Sequence, residues 1–181
     1  MIEGKKISLR LFEESDIDET VRYFGRVDNR GLENIQLNHE VDLRKSFHND
    51  GWWGNENGYL CIADKDNKPA GFITFFVPFK KPTRSALEIG FAIFRPEDWG
   101  KGYTSEAVSL FVPYLFETHT IERIQAITHL DNIGSQKVLE KNSFTFEGVL
   151  RKLFIFKGKP VDVKMYSILR EESKALEDVI T

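Results

Sequence analysis

Between a strand-like run ending at Phe94 and a helix-like run beginning near Gly102 lies Arg95-Pro96-Glu97-Asp98-Trp99-Gly100-Lys101-Gly102-Tyr103-Thr104-Ser105-Glu106-Ala107. Glycines two positions apart allow a tight turn and a close backbone approach to a ligand. The free amides that open the following helix favour a phosphate or pyrophosphate. Two familiar phosphate loops fail to fit. A dinucleotide fingerprint needs a third glycine where Ser105 stands, and a Walker loop needs Ser or Thr where Gly102 follows Lys101. An ordinary glycine-rich turn, with Thr104 or Ser105 capping the helix, accounts for the same residues, so the segment alone leaves both readings open.

Other reactive side chains are scattered. Glu88 alternates with Leu87 and Ile89, so it faces opposite to them, and Gly90 leaves room beside it. It is either a proton acceptor or a sheet carboxylate neutralised by Lys or Arg. His129 stands just past a strand, Tyr166 in the last strand and Glu106 in the first turn of a helix, where a carboxylate complements the dipole. Trp52, Trp53 and Tyr59 form an aromatic wall for a ligand or a cover over the core. Glu14, Asp16, Asp18, Glu19, Glu33 and Glu40 make either an acidic mouth or a solvated face. The one cysteine, Cys61, excludes an internal disulfide and any Cys-rich zinc site, and no metal is expected.

The elements that must position these residues follow from periodicity. Ile7 to Leu11 alternates as a strand, and Ser15-Asp16-Ile17-Asp18 opens a helix with Ile17, Val21 and Phe24 on one face. Residues 28 to 58 read as mobile or irregular around a weak helix, Val41 to Phe47. Tyr59 to Ala63, Ala70 to Val77 and Leu87 to Phe94 follow as an antiparallel meander, with turns at 64–68 and near Lys80-Lys81-Pro82. A helix from Gly102 to Glu117, which Pro113 should kink or shorten, precedes a strand from Ile121 to Thr128. Asn132 to Asn142 is helical, and Phe144 to Phe156 and Val161 to Leu169 close as strands around Lys157-Gly158-Lys159-Pro160. The order gives an α/β fold with a mixed sheet, in one domain over residues 1–181.

Composition agrees with a core-rich chain: 181 residues, 41% hydrophobic, with 15 Phe. Twenty-five basic against 28 acidic residues leave a charge of −3, which supplies no global field for nucleic acid or anionic lipid. The longest nearly apolar run, Phe72 to Phe79, is far too short to span a membrane, and the first residues do not read as a signal peptide. A cytoplasmic location is the expectation.

Taken in order, Glu88-Ile89-Gly90-Phe91, Trp99-Gly100-Lys101-Gly102-Tyr103-Thr104-Ser105-Glu106-Ala107, Asn132-Ile133-Gly134-Ser135 and Phe144-Thr145-Phe146-Glu147-Gly148 resemble the GNAT superfamily of acetyl-CoA-dependent N-acetyltransferases. The RimJ/RimL-type ribosomal-protein N-terminal acetyltransferases look like the nearest branch. The resemblance runs from Ile7 to Tyr166. It implies a central, mostly antiparallel sheet of about seven strands, splayed between the fourth and fifth, with about four helices around it. The pantetheine arm of acetyl-CoA would lie in that gap. By position, Ile93 and Phe94 would bond pantetheine through their backbone, and Trp99, Gly100, Lys101, Gly102, Tyr103 and Thr104 would offer amides to the pyrophosphate. Asn132 would reach the pantetheine and Ser135 the sulfur.

Three departures from the family pattern matter. Glu97 and Trp99 replace residues that are usually basic or polar, Leu139 stands where many relatives carry a Tyr that protonates the thiolate, and Ser143 replaces a glycine. Asn142 would have to supply the left-handed cap, or the turn would be strained.

The chemistry the resemblance implies is direct attack of an amine on a thioester, with Glu88 as base and Ser135 as hydrogen-bond donor to the leaving sulfur. The acceptor it suggests is a protein N-terminal amine. A polyamine, amino sugar or aminoglycoside is the alternative, and a non-catalytic acyl-CoA-binding module is a rival of another class. An exposed final hairpin is compatible with a homodimer.

Overall fold

A run such as Phe72-Ile73-Thr74-Phe75-Phe76 sends apolar side chains to both faces, so the sheet it joins has to be covered on both sides. The computed structural model, which describes residues 1–25, 40–78 and 85–180, has that arrangement. Its strands are β1 (Ile2–Glu3), β2 (Ser8–Arg10), β3 (Asn57–Ala63), β4 (Pro69–Phe76), β5 (Ala86–Ile93), β6 (Arg123–His129), β7 (Thr145–Phe156) and β8 (Lys159–Leu169). They form one eight-stranded sheet in the order β1-β2-β3-β4-β5-β6-β8-β7. Every pair is antiparallel except β5 with β6. The helices are α1 (Ile17–Gly25), α2 (Glu40–Asp50), α3 (Tyr103–Thr118), α4 (Ile133–Lys141) and a short α5 (Glu177–Ile180).

The mixed α/β sheet expected from the sequence is present, with two additions. Strand β1 has only two residues, too few to show a period, so the opening in the sheet falls between the fifth and sixth strands instead of the fourth and fifth. Helix α5 is the second addition. The expected turn near Lys80-Lys81-Pro82 and most of the irregular stretch before α2 lie outside the described residues, and Glu33 lies there too. Helix α2 itself is longer than the Val41 to Phe47 reading. No residue of α2 is buried, which accounts for its faint apolar pattern.

Pro113 does not shorten α3, which continues to Thr118. A proline inside a helix costs about 3 kcal/mol. Here Val108, Leu110, Phe111, Val112, Leu115 and Phe116 are all buried, and each large apolar side chain removed from water returns roughly 1.5–3 kcal/mol. Packing therefore outweighs the lost hydrogen bond. This face of the sheet carries the main core, with Ile73, Phe75, Ile124 and Tyr166 under α3. The opposite face carries an aromatic cluster of Phe12, Tyr23, Phe72 and Phe94 against α1.

Trp52 and Trp53 belong to these two packings. Trp53 meets Phe75 at 5.4 Å between ring centroids, while Trp52 meets Phe12 at 5.3 Å and Phe47 at 5.2 Å. Both cover core. The start of α1 is held by a buried ion pair, in which Arg10 donates to Asp16 at 2.6 and 3.0 Å while Asp16 also accepts the Glu13 amide.

The end of α4 takes the second of the two forms expected for it, the strained one. Asn142 stays at φ −98°, and Ser143 itself takes the left-handed position at φ 64°. The amide of Phe144 donates to the Leu139 carbonyl and that of Ser143 to Glu140, so the helix closes in a complete Schellman motif with serine where glycine is favoured. A left-handed non-glycine residue costs about 1–2 kcal/mol. Ser143→Gly should therefore raise the melting temperature by roughly 2–6 °C, read by calorimetry, and an unchanged or lower value would show that the turn carries no strain.

Candidate active site

The parallel ladder between β5 and β6 consists of Ala86↔Arg123, Leu87↔Ile124 and Glu88↔Gln125, and past that point the strands run on unpaired to Ile93 and His129. On its other edge β5 stays paired with β4 through Ile93. The Phe94 amide donates to the Ala70 carbonyl at 2.8 Å, which sets the phase of that ladder. Residues of an antiparallel pair alternate in the direction of their backbone groups, so Phe91 and Ile93 turn N–H and C=O away from β4 and into the opening. Ile93, expected to bond pantetheine, turns its backbone groups into the opening. The expectation for Phe94 is corrected: its amide is already donated within the sheet, and Phe91 is the second residue with backbone toward the gap.

A cleft of about 600 Å³ lies along this opening, lined by Phe91, Ile93, Trp99, Gly100, Gly102, Tyr103, Thr104, Asn132 and Ser135. Gly100 and Gly102 adopt φ of 75° and 85°, a region that side chains resist. Gly102 is the N-cap of α3 and no side chain caps that end, so the Thr104 or Ser105 cap expected from sequence is not formed. The first-turn amides are left toward the cleft, a fit to a phosphate-bearing ligand that depends on backbone instead of charge.

The charged side chains of the loop are occupied in holding its shape. Buried Asp98 accepts from Arg95 at 2.7 Å and from Lys101 at 2.6 Å, and Arg95 also reaches Glu19 at 2.6 Å. Burial pushes the Asp98 carboxyl up, and the bonds from Lys101 and Arg95 outweigh it, leaving it below the usual range. The Lys101 side chain therefore points to Asp98, while its carbonyl accepts from Lys6 at 2.8 Å. Glu106 serves neither substrate nor dipole alone: it accepts the backbone amides of Lys5 and Lys6 and pins the amino-terminal strands to α3.

A second cavity of about 330 Å³ adjoins the cleft and shares Phe91, Asn132 and Ser135 with it. Asn132 accepts the Ser135 amide at 3.1 Å as the N-cap of α4, which places Ser135 where the two spaces meet. Glu88 lines the second cavity among Phe72, Phe76, Phe154, Phe156 and Val163. It is 8% exposed and accepts from Gln125 Nε2 at 2.8 Å. Among the described residues no lysine or arginine pairs with it. Burial pushes the Glu88 carboxyl up, and the Gln125 bond opposes that only in part.

The remaining candidates separate. His129 lines the second cavity, with Nδ1 accepting the Asp131 amide at 3.2 Å and its ring against Phe156. Leu139 forms an apolar wall there, with no proton to offer. Tyr166 is core, donating to Glu140 at 3.1 Å, and does not line the cavity. Of the acids considered for a mouth, Asp16 pairs with Arg10, Asp18 and Glu40 with Arg44, Glu19 with Arg95, and Glu14 lies 3.2 Å from His48 Nε2, while Glu33 is outside the described residues. Sequence reasoning missed Gln125, whose signal was its place between apolar Ile124 and Ala126 on a strand, and the hairpin residues Phe154 and Phe156. Among the described residues there is no cluster of three or more metal-ligating side chains, and no helix long and apolar enough to cross a membrane.

A family model described as an acetyltransferase (GNAT) domain matches residues 6–145. The uncharacterized N-acetyltransferase YoaA of Bacillus subtilis (strain 168) is 33% identical over 156 residues, covering 84% of this chain and 82% of its own. Two solved structures share the fold. Spermidine N-acetyltransferase from Vibrio cholerae, in complex with CoA and spermine, has a TM-score of 0.78 at 19% identity and covers 93% of this chain and 98% of its own. RimL, a ribosomal L7/L12 alpha-N-protein acetyltransferase in complex with coenzyme A, has a TM-score of 0.75 at 21% identity and covers 93% and 97%. The family match over most of the chain agrees with the opened ladder and its uncapped glycine turn, and the protein belongs to the GNAT family of N-acetyltransferases.

Proposed function

We propose that the protein moves the acetyl group of acetyl-CoA directly to the α-amine of a protein N-terminus, as a single domain working in the cytoplasm. The observation that carries this reading is Glu88: a buried carboxylate bonded to a neutral amide, in an aromatic cavity that joins the cleft at Ser135. Acetyl-CoA supplies an acyl group activated as a thioester. The backbone of Phe91 and Ile93 holds the pantetheine arm in the opening, the amides from Gly100 to Thr104 hold the pyrophosphate, that of Trp99 being already donated to the Pro96 carbonyl at 3.0 Å, and Asn132 Nδ2 offers a further donor. Glu88 takes the proton that the amine loses as its nitrogen bonds to the acyl carbon. The carbon–sulfur bond breaks, and the Ser135 hydroxyl donates a hydrogen bond to the departing sulfur.

Direct transfer is supported by the state of the only cysteine. Cys61 is fully buried on β3, and burial pushes its thiol up to about 12, so it is no nucleophile at neutral pH. One carboxylate among aromatic walls suits a single amine beside an apolar side chain, whereas a polyamine offers several charges. The likeness in fold to RimL, which acts on a ribosomal protein, supports the same acceptor. The branch itself rests on this argument.

Thiol release from acetyl-CoA should rise with peptides bearing free amino termini above the no-amine control. Release with spermidine and with no peptide would instead assign a small-molecule acceptor, and saturable coenzyme A binding without release on any amine would leave a binding module. Glu88→Gln should lower the rate about 10²-fold or more while coenzyme A affinity stays within about twofold.

The same variant should melt at a higher temperature than wild type at pH 7. The folded pKa of Glu88 lies above its unfolded value, so its favourable contribution is complete below the unfolded pKa and is lost as pH rises through the folded one. Glutamine is neutral at every pH and is free of that loss. Below about pH 4 both side chains are neutral, and the difference in melting temperature should close.

A further inference from the structure

Glu88 and Gln125 are the last residues paired across β5 and β6 before the strands part, and their side chains are bonded at 2.8 Å at that apex. Behind Gln125 the bonds continue. Arg123 Nε donates to Gln125 Oε1 at 3.2 Å, Arg123 grips Glu147 through two bonds of 2.6 and 2.5 Å, and Ser167 donates to Glu147 at 2.7 Å. Register explains the row: Gln125 lies opposite Ser167, and Ser167 opposite Thr145, so the chain crosses the sheet from the cavity to β7.

The direction of the Gln125 amide is decided by its neighbours. Turned over, its nitrogen would meet the Arg123 guanidinium, donor against donor, and its oxygen would meet the Glu88 carboxylate, acceptor against acceptor. Arg123 thus selects the orientation in which Gln125 presents N–H to Glu88, and the fork to Glu147 fixes Arg123.

We propose that Gln125 is a positioning residue that holds the Glu88 carboxyl in place, with Arg123 and Glu147 setting its orientation. The inference rests on Glu88 being the base. Around that carboxylate stand Phe76 on β4, Gln125 on β6 with Arg123 and Glu147 behind it, and His129 farther along β6 on the same cavity. The bond from Arg123 holds the Glu147 carboxyl down at about 2, so the outer pair stays ionised throughout the working range. Among the described residues, the one hydrogen bond that opposes the burial of charge at Glu88 is the one from Gln125. Without it a buried carboxylate keeps its proton to higher pH and fewer molecules carry a base at neutrality.

The test is the titration of the Glu88 side-chain carboxyl by carbon NMR in wild type, Gln125→Leu and Gln125→Glu, beside the pH dependence of acetyl-CoA turnover with a pool of peptides bearing free amino termini. Gln125→Leu should raise the Glu88 midpoint by about one pH unit. Turnover should fall about tenfold on the acid side and recover to within about threefold at high pH, with KM for acetyl-CoA within about twofold. Misfolding would not be reversed by pH. Gln125→Glu sets a carboxylate against Glu88 while still accepting from Arg123, so it should shift the midpoint further upward and stands in if the leucine variant does not fold. In a Glu88→Gln background, Gln125→Leu should cost nothing more. An unmoved midpoint, or a full additional loss in that background, overturns the positioning role. Should Glu88→Gln alone keep the wild-type rate, the base assignment fails first and the proposal falls with it.

Discussion

A β-ladder that stops after three pairs creates a demand that the rest of the molecule answers. Backbone amides and carbonyls beyond Glu88 and Gln125 lose their partners, and unpartnered peptide groups in a protein interior are costly. The opening is tolerable because it is a cleft, where a ligand rich in amides can complete the bonds. It also decides what can be near what. The divergence leaves β5 presenting Phe91 and Ile93 on one side, while α4 brings Asn132 and Ser135 across the gap. Glu88 sits at the vertex, as close to the opening as a residue can be while still belonging to the paired sheet.

The loop after β5 meets the same kind of demand with geometry instead of net charge. Its basic side chains, Arg95 and Lys101, are bound to Asp98 and Glu19, so what remains for an anion is a turn with two left-handed glycines and an uncapped helix end. Such a site is already formed before a ligand arrives, because the ion pairs fix the loop independently. The replacement of a usual basic residue by Trp99, whose ring is mostly exposed, thereby alters the surround of the cleft more than its floor. At Glu88 the balance runs the other way: a carboxyl is kept out of water, which disfavours its charged form.

How much of this could be read from residues alone depended on the range over which each feature is determined. Alternation around Glu88 and Gly90, and the glycine pair before a helix, are local and were legible. Strand β1 is too short to have a period, and α2 buries nothing, so neither leaves a clear trace. The choice of Phe91 over Phe94 depends on the phase of hydrogen bonding with β4, which is set by register between strands and not by any residue type. Gln125 was missed for a related reason: its meaning comes from a parallel partner far away in the chain. Ser143 shows the reverse case, where the sequence located a strained turn but not which residue would bear it.

The bond from the Lys6 side chain to the Lys101 carbonyl spans 95 positions of chain, and the Glu106 carboxylate reaches back about as far to the amides of Lys5 and Lys6. Contacts of such separation close slowly, because the intervening chain must first be ordered. During synthesis the glycine turn leaves the ribosome long after the amino-terminal strands, and it is latched from outside only once those strands have docked on α3. The cleft is thus among the later parts of the molecule to reach its working shape, although the residues that line it are adjacent in sequence.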